Sequence, residues 1–370
     1  MSETTITPVV MPKWGLSMRE GTVNEWLVEV GDEIVTGMPI LNVETDKIAN
    51  AVEATDAGIL RRKVAEEGDV LPVKALLGVM APEAVSDAQI DAFIADWVVP
   101  ATDDDEDEQV SSDRYIEVNG LRVRYIRQGD GDDTVLFIHG FGGDLNNWLF
   151  NLDAFPESTV VALDLPAHGQ TETRLTGSSL SDLAAFVADF MQALDLPAAH
   201  LVGHSLGGAI AAQLALDVPQ RVRSLSLIGS GGFGAEVNEA YTQGFIDAQS
   251  RRDLKPVVEL LFADTELVSR QMLDDLLKYK RLDGVSDCLQ QLQDSLFAGG
   301  KQSSQPGQQL NGSVPLLLIW GEDDAIIPAH HADNAPAGSR IERISGAGHM
   351  PQMEKAAEVN RLLQQHTGSE

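Results

Sequence analysis

The sequence predicts two domains of different class, a small all-β domain followed by a larger α/β domain. The chain has 370 residues, enough for one small domain and one of ordinary enzyme size. Two observations predict the division. A short pattern occurs twice in the first part of the chain, opening at Gly21 and again at Gly58. From Tyr115 onward, short apolar runs alternate with helical segments, which is typical of a parallel sheet covered by helices.

The repeated pattern predicts how the small domain is built. Each copy has a glycine, nine intervening residues and then Gly-Asp, at Gly31-Asp32 and at Gly68-Asp69. A unit this short cannot bury its apolar face alone, so we expect the two halves to pack together as one β-domain. Lys47 lies between the copies, and Thr45-Asp46 favours a tight turn there. The pattern therefore predicts that Lys47 is held at the tip of a hairpin.

Residues 6–81 resemble the biotinyl/lipoyl attachment family. The resemblance depends on the segment Met11–Met18, on Gly21 and on the segment Glu44–Ile48. It implies a flattened β-barrel of two quasi-repeated halves, with lipoate joined to Lys47 by a lipoate-attaching enzyme. Biotin carriers usually have Met-Lys-Met at this place, so Asp46-Lys47-Ile48 favours lipoate. The alternative is an ordinary solvated surface lysine.

A helix and an acidic linker are expected between the domains, over residues 82–112, which leaves 1–81 for the lipoyl domain and 113–370 for the α/β domain. Ser86 and Gln89 form a capping-box pattern. An apolar stripe at helical spacing follows it, from Ile90 to Trp97. This stripe predicts a short helix that packs on its neighbours, or alternatively docks another subunit. Six consecutive acids, Asp103–Glu108, should then repel one another and stay extended.

Composition excludes several classes of function. The net charge of −31 disfavours nucleic acid and anionic membrane surfaces as partners. One cysteine, Cys288, excludes an internal disulfide framework and suits a reducing cytosol. The N-terminus lacks a signal-peptide pattern, and no apolar run approaches membrane-spanning length. We therefore expect a soluble cytoplasmic protein without a metal site.

The larger domain should contain a sheet with helices on both faces. Asn119-Gly120 predicts a hairpin between its first two strands. Active sites in such sheets lie outside the carboxyl ends of the strands. The remaining predicted strands are Val135–Ile138, Val160–Leu163, Leu201–Val202, Leu225–Ile228, Leu316–Trp320 and Ile341–Ile344.

A candidate nucleophile, Ser205, follows one of these strands. It is the centre of Gly203-His204-Ser205-Leu206-Gly207, directly before a helical run. In this strand–turn–helix setting the turn is too tight for side chains at the two glycines, and it exposes the serine hydroxyl. Serine needs a base to take its proton, so a histidine is required nearby.

His349 and Asp324 are the candidates for base and orienting acid. His349 lies in a glycine-containing loop after the last predicted strand, and Asp324 follows the strand Leu316–Trp320. Asp323 is the alternative orienting acid. The chain order serine, aspartate, histidine is the one expected of α/β-hydrolases.

The segment His139–Gly143 predicts an oxyanion-binding loop. Its small residues free backbone N–H groups, and we expect the amides of Phe141 and Leu206 to be the donors. His139 and His168 are interpreted as structural, and His204 as packing beside the turn.

These ordered motifs make residues 113–367 similar to α/β-hydrolases of the branch that contains carbon–carbon bond hydrolases and esterases. The resemblance implies that residues from about 233 to 300 form a helical cap. Six apolar side chains would line or support the acyl pocket: Phe245, Val257, Leu260, Leu261, Met272 and Leu276.

The whole chain resembles the dihydrolipoyl acetyltransferase components of bacterial acetoin-cleaving dehydrogenase complexes. This resemblance implies acetyl transfer from the lipoyl arm to coenzyme A within a multi-subunit complex. It also implies partners, namely thiamine-diphosphate-dependent acetoin-cleaving subunits and a dihydrolipoyl dehydrogenase. Ordinary lipoyl-dependent acyltransferases have a His-x-x-x-Asp-Gly motif near the C-terminus, which is missing from this sequence. A tethered hydrolase and a carrier with an idle catalytic domain are the alternatives.

Coenzyme A recognition has one candidate in the sequence, a basic cluster in the predicted cap. The alternative for these residues is an ordinary solvated helix face. The cluster consists of Arg251, Arg252, Lys255, Lys278, Lys280 and Arg281.

Overall fold

The computed structural model describes residues 6–12, 14, 18–45, 49–99 and 113–368. The chain divides into two compact units, residues 1–111 and 112–370. Whether the segments 1–81 and 82–112 fold separately stays a prediction. The described residues of the first unit form eight strands: β1 (Thr7–Val10), β2 (Glu20–Trp26), β3 (Glu33–Ile34), β4 (Pro39–Glu44), β5 (Ala49–Glu53), β6 (Gly58–Lys63), β7 (Val70–Pro72) and β8 (Leu76–Met80).

The two halves of the first unit exchange short strands. One antiparallel sheet has the order β5-β4-β2-β7 and the other β1-β8-β6-β3, so β7 and β3 each pair with a strand of the other half. Gly31 N–H donates to the Leu60 carbonyl and Gly68 N–H to the Val23 carbonyl, both at 2.7 Å. These glycines have φ of +103° and +92°, which favours glycine. The all-β class with two quasi-repeated halves is confirmed.

The connection between β4 and β5 contains the lysine singled out by the sequence. The two strands pair antiparallel, and Glu44 is opposite Ala49 at the end of their register. Residues 45–48 therefore join adjacent strands, as the hairpin prediction requires. Lys47 itself lies outside the described residues.

Helix α1 (Asp87–Ala95) packs against the β-strands of the first unit. It begins with the predicted capping box, in which the Ser86 side chain accepts from Gln89 N–H. Ile90 is fully buried in a cluster with Leu76 and Val79 of β8. The apolar stripe of α1 therefore packs against strands of the same unit. The six-acid run at residues 103–108 lies outside the described residues.

Over residues 113–368, the second unit contains an eight-stranded sheet with the order β16-β15-β14-β13-β11-β12-β10-β9. The six strands from β11 to β16 are mutually parallel, β10 is antiparallel to β12 and β9 to β10. The strands are β9 (Arg114–Val118), β10 (Leu121–Gln128), β11 (Thr134–Ile138), β12 (Thr159–Leu163), β13 (Ala199–His204), β14 (Val222–Ile228), β15 (Leu316–Gly321) and β16 (Arg340–Ile344). Each predicted strand of the larger domain is present, and the α/β class is confirmed.

Eight helices complete the described part of the second unit. Four of them, α4 to α7, lie between β14 and β15 in the chain and make up the inserted cap region. In chain order the helices are α2 (Leu180–Ala193), α3 (Leu206–Asp217), α4 (Glu239–Asp247), α5 (Arg251–Val258), α6 (Arg270–Lys280), α7 (Val285–Leu296), α8 (Pro351–Glu354) and α9 (Ala356–Thr367). In the part of the chain that the structure describes, no helix combines the length and apolar character needed to cross a bilayer.

Candidate active site

Ser205 occupies a strained turn between β13 and α3. Its φ of +53° is in the left-handed region, which is uncommon for a residue with a side chain. A Cβ added to Gly203 would lie 2.5 Å from the Gly207 carbonyl oxygen. A Cβ added to Gly207 would overlap the Ile138 carbonyl oxygen. The tight packing expected at both glycines is therefore present, and Ser205 is 9% exposed.

His349 and Asp324 form a buried pair. His349 Nδ1 is 2.8 Å from Asp324 Oδ2, and both side chains are at most 1% exposed. Asp324 Oδ1 accepts from the N–H groups of Ile326 and Ile327 at 2.8 and 2.9 Å, which fixes the carboxylate. His349 Nε2 is buried and has no hydrogen-bond partner among the described residues. Asp323, the alternative orienting acid, is exposed.

Ser205 and His349 line one cavity of about 80 Å³. The glycine loop after β11 and apolar side chains of the cap form its other walls. Four of the six side chains predicted to line or support a pocket do line it: Phe245, Leu261, Met272 and Leu276. Val257 and Leu260 are partly buried and pack against the hydrophobic core instead. A cavity of this size suits a small acyl group.

The two predicted oxyanion donors flank Ser205. Leu206 N–H opens helix α3, and Phe141 belongs to the loop that lines the cavity. Neither backbone N–H donates to an acceptor within the described ranges. A Cβ on Gly140 would come within 2.9 Å of the Ser205 Cβ, so this loop approaches the serine closely. The Tyr241 hydroxyl donates to the Phe141 carbonyl at 3.0 Å and helps to hold the loop.

His139 and His168 are buried beside the glycine loop that follows β11. His139 Nδ1 is 2.8 Å from the Gly140 carbonyl, and its Nε2 accepts from Leu165 N–H at 2.9 Å. Burial lowers the pKa of His139 to about 4 and that of His168 to about 3. Both rings are therefore neutral near pH 7. These contacts agree with the structural interpretation of the two residues.

His204 has a role that the sequence did not reveal. Its Nε2 is 2.8 Å from the His349 carbonyl oxygen, and the two ring centroids are 4.7 Å apart. Burial lowers its pKa well below the ordinary value, so the neutral ring donates to this carbonyl. His204 thus joins the serine turn to the histidine loop. Its place next to Ser205 in the chain was the available signal.

Asp164 holds the segment that follows the glycine loop after β11, and it was not predicted from the sequence. Its carboxylate is fully buried and accepts from the N–H groups of Leu145 and Gln170, each at 2.8 Å. The guanidinium of Arg124 lies 3.2 Å away. Burial raises the pKa of Asp164 despite this opposing charge. An acid directly after the apolar strand β12 was the signal in the sequence.

One group of described residues brings three possible metal ligands together, namely Glu236, His330 and His331, within 4.8 Å of one another. His331 Nε2 is already 2.7 Å from the Glu236 carboxylate, and its buried Nδ1 has no partner in the described part of the chain. A metal on Nε2 would move the ring proton to Nδ1, where no acceptor lies. We therefore describe His331 and Glu236 as a hydrogen-bonded pair.

Three of the six members of the cap's basic cluster are paired with carboxylates. Lys280 differs from the rest, since it is buried, donates to the Ala248 carbonyl and lies 5.2 Å from the Phe245 ring centroid. Burial lowers its pKa to about 8. The three ion pairs are Arg251 with Asp274 at 2.5 Å, Lys278 with Asp275 at 2.8 Å and Lys255 with Glu259 at 3.5 Å. This pattern favours an ordinary solvated helix face over a phosphate site.

Comparison with known proteins assigns both units to families. Residues 133–356 match the family described as alpha/beta hydrolase fold. Residues 7–80 match the family described as Biotin-requiring enzyme, which covers biotin and lipoyl domains. The family predictions for the two domains are therefore confirmed.

Two relatives match nearly the whole chain. A protein of Cupriavidus necator is 62% identical over 98% of both chains and is named dihydrolipoyllysine-residue acetyltransferase component of acetoin cleaving system. A protein of Pseudomonas putida with the same name is 46% identical over 97% of both chains. The chain belongs to this acetyltransferase family. The resemblance found in the sequence is confirmed, including the fusion of a lipoyl domain to an α/β-hydrolase domain.

Solved structures support the fold of the second unit. A meta-cleavage product hydrolase from Pseudomonas fluorescens IP01 covers 69% of this chain and 97% of its own, with a TM-score of 0.62 and 22% identity. At this identity the likeness concerns the fold alone. The second unit of this chain therefore has the α/β-hydrolase fold.

Proposed function

We propose that this acetyltransferase-family chain moves an acetyl group from dihydrolipoyl-Lys47 to coenzyme A through an acyl-enzyme on Ser205. One observation carries the proposal. The buried Asp324–His349 pair and Ser205 border the same small cavity, and His349 Nε2 is left without a partner among the described residues. A base with a free nitrogen beside a serine is the arrangement that nucleophilic acyl transfer needs.

In the first half-reaction, His349 Nε2 takes the Ser205 hydroxyl proton as Oγ attacks the thioester carbonyl. The Phe141 and Leu206 N–H groups donate to the oxygen that becomes negative. Asp324 keeps the imidazole proton on Nδ1 and stabilises the ring when it is charged. The C–S bond then breaks, and His349 returns the proton to the leaving thiol. The second half-reaction repeats these steps with the thiol of coenzyme A as nucleophile.

The strands on either side of Lys47, β4 and β5, support lipoate attachment at this lysine. Glu44 of β4 is opposite Ala49 of β5, so only four residues separate the two paired strands in the chain. Short connections between paired strands generally lie on the protein surface, where an attaching enzyme can reach them. When attached to Lys47, the group would present the acetyl as a thioester on a long arm. The residues of the hydrolase unit would then perform all proton transfers described above.

The proposal also covers the partner subunits of the protein and its place in the cell. We propose a place in a cytoplasmic multi-subunit complex with thiamine-diphosphate-dependent acetoin-cleaving subunits and a dihydrolipoyl dehydrogenase. The support is the name shared by the two near full-length relatives, together with the single cysteine. A lipoate-attaching enzyme would modify Lys47 before assembly.

The acceptor can be tested by acetylating the reduced lipoyl protein with a radiolabelled acetyl group and then adding coenzyme A or buffer. We expect labelled acetyl-CoA from the wild-type chain and none from Ser205→Ala, which should still carry lipoate by intact mass. Free acetate as the main product in both conditions would make the protein a tethered hydrolase. A thioester that persists with coenzyme A would indicate a carrier with an idle domain. Either result would contradict the proposal.

A further inference from the structure

Glu354 joins the loop of His349 to the cap region. Its Oε2 accepts from Gly348 N–H at 2.7 Å, directly before His349 in the chain. Its Oε1 accepts from Ala263 N–H at 2.7 Å and from Asp264 N–H at 3.4 Å. Hydrogen bonds to an ionised carboxylate are about twice as strong as neutral ones. One side chain therefore fixes two segments that are distant in sequence.

The two segments are also in direct backbone contact. His349 N–H donates to the Leu261 carbonyl at 2.8 Å. A Cβ on Gly348 would lie 2.7 Å from Ala263 N and 2.9 Å from the Leu261 oxygen, so only glycine allows this approach. We call residues 261–264, Gly348, His349 and Glu354 the cap–histidine junction.

The junction borders the acyl cavity from both sides. Leu261 and Phe262 line the cavity from the cap region, and His349, Met350 and Met353 line it from the histidine loop. A change in the separation of the two segments would therefore move a cavity wall and the base together. Because the cavity is only about 80 Å³, a small displacement changes which acyl groups it admits.

We propose that Glu354 is a positioning residue that holds the cap against the histidine loop and thereby restricts the site to short acyl groups. The inference rests on the proposed acylation of Ser205. Burial raises the pKa of Glu354, while the three N–H bonds and Lys355 act in the opposite direction. A partly buried carboxylate with three backbone donors is a defined contact rather than a solvated surface group.

The test compares the full-length Glu354→Gln variant with wild type on p-nitrophenyl acetate and p-nitrophenyl hexanoate. Glutamine keeps one accepting oxygen but turns an NH2 group toward the other N–H donors. We expect kcat/KM for the acetate to fall by about 10- to 100-fold, the effect of losing a charged hydrogen bond. The hexanoate-to-acetate ratio should rise roughly tenfold, because the cap wall withdraws.

A second substitution alters the cap–histidine junction but keeps the Glu354 carboxylate. Gly348→Ala should raise the same ratio, since its Cβ pushes residues 261–263 away. Glu358→Gln, an exposed carboxylate on the neighbouring helix, is the matched control and should behave as wild type. An unchanged ester ratio in folded Glu354→Gln, or an equal fall for both esters with a lower melting temperature, would overturn the positioning role.

The Ser205→Ala variant separates this inference from the proposed function. If Ser205→Ala is inactive on both esters and Glu354→Gln keeps the wild-type ratio, only the positioning role is wrong. If Ser205→Ala retains turnover, the acyl-serine mechanism itself is wrong.

Discussion

The Asp324→Asn substitution tests the proposed catalytic unit most sharply, because the structure predicts how the new amide would orient. The Oδ1 position accepts from two backbone N–H groups, at 2.8 and 2.9 Å, so the amide oxygen must take that place. The NH2 group then occupies the Oδ2 position, 2.8 Å from His349 Nδ1, and donates to it. His349 must therefore carry its proton on Nε2, where it cannot accept the proton of Ser205.

The size of the effect follows from this tautomer reversal. In Ser-His-Asp sites such a reversal lowers turnover by about 10⁴-fold, which is roughly 5.5 kcal/mol of transition-state stabilisation. The volume and the hydrogen-bonding positions of the side chain are otherwise kept, so we expect little change in folding. Stopped-flow release of p-nitrophenol from p-nitrophenyl acetate measures acylation of Ser205, and a fluorophosphonate probe measures labelling independently.

Asp323→Asn is the matched control for this experiment. Asp323 is adjacent in sequence but exposed, so its variant should acylate at the wild-type rate. A fall of less than tenfold in folded Asp324→Asn would refute the tautomer argument. A large fall in Asp323→Asn alone would move the orienting role to that residue.

Three further predictions concern separate parts of the chain. Lys47→Arg should lose the lipoyl mass adduct and acetyl-CoA formation but keep p-nitrophenyl acetate turnover; a remaining adduct would place the modification elsewhere. Gly203→Ala puts a Cβ 2.5 Å from the Gly207 oxygen, so urea titration should show a free energy of unfolding about 2 kcal/mol lower than wild type. The fluorophosphonate probe should then fail to label Ser205. A variant that is as stable as wild type and is labelled would contradict the strained turn. The folded pKa of His139 is about 4 against 6.5 for the free side chain, so the unfolded chain binds its proton first. The free energy of unfolding should therefore fall below pH 6.5, by at most about 1.4 kcal/mol per pH unit down to pH 4, and His139→Asn should lose this part of the slope; equal slopes would contradict the lowered pKa.

Local patterns explain why much of the fold could be predicted from sequence. Gly203 and Gly207 flank Ser205 because backbone atoms crowd both positions, and this requirement is expressed within five consecutive residues. The repeated Gly-Asp turns are equally local. In each, the aspartate side chain accepts from the backbone N–H three residues earlier, at 2.8 Å, from Glu29 to Asp32 and from Glu66 to Asp69.

Other contacts of the site could not be predicted because their partners are distant backbone groups. Glu354 accepts from N–H groups about 90 residues earlier, and a backbone donor leaves no residue type to recognise. His204 donates to the carbonyl of His349, 145 residues away, and was expected only to pack. Lys280 looked like one more surface cation, but tertiary packing buries it beside Phe245.

The exchange of β3 and β7 has a consequence for engineering the N-terminal unit. Each half completes the other's sheet, so a cut between β4 and β5 would yield two fragments, neither of which has a full sheet alone. Such fragments should reassociate when mixed, in the manner of a split reporter. The backbone hydrogen bonds from Gly31 to Leu60 and from Gly68 to Val23 do not involve residues 45–48. New peptide could therefore be grafted at the lysine-bearing connection while the barrel is held by its exchanged strands.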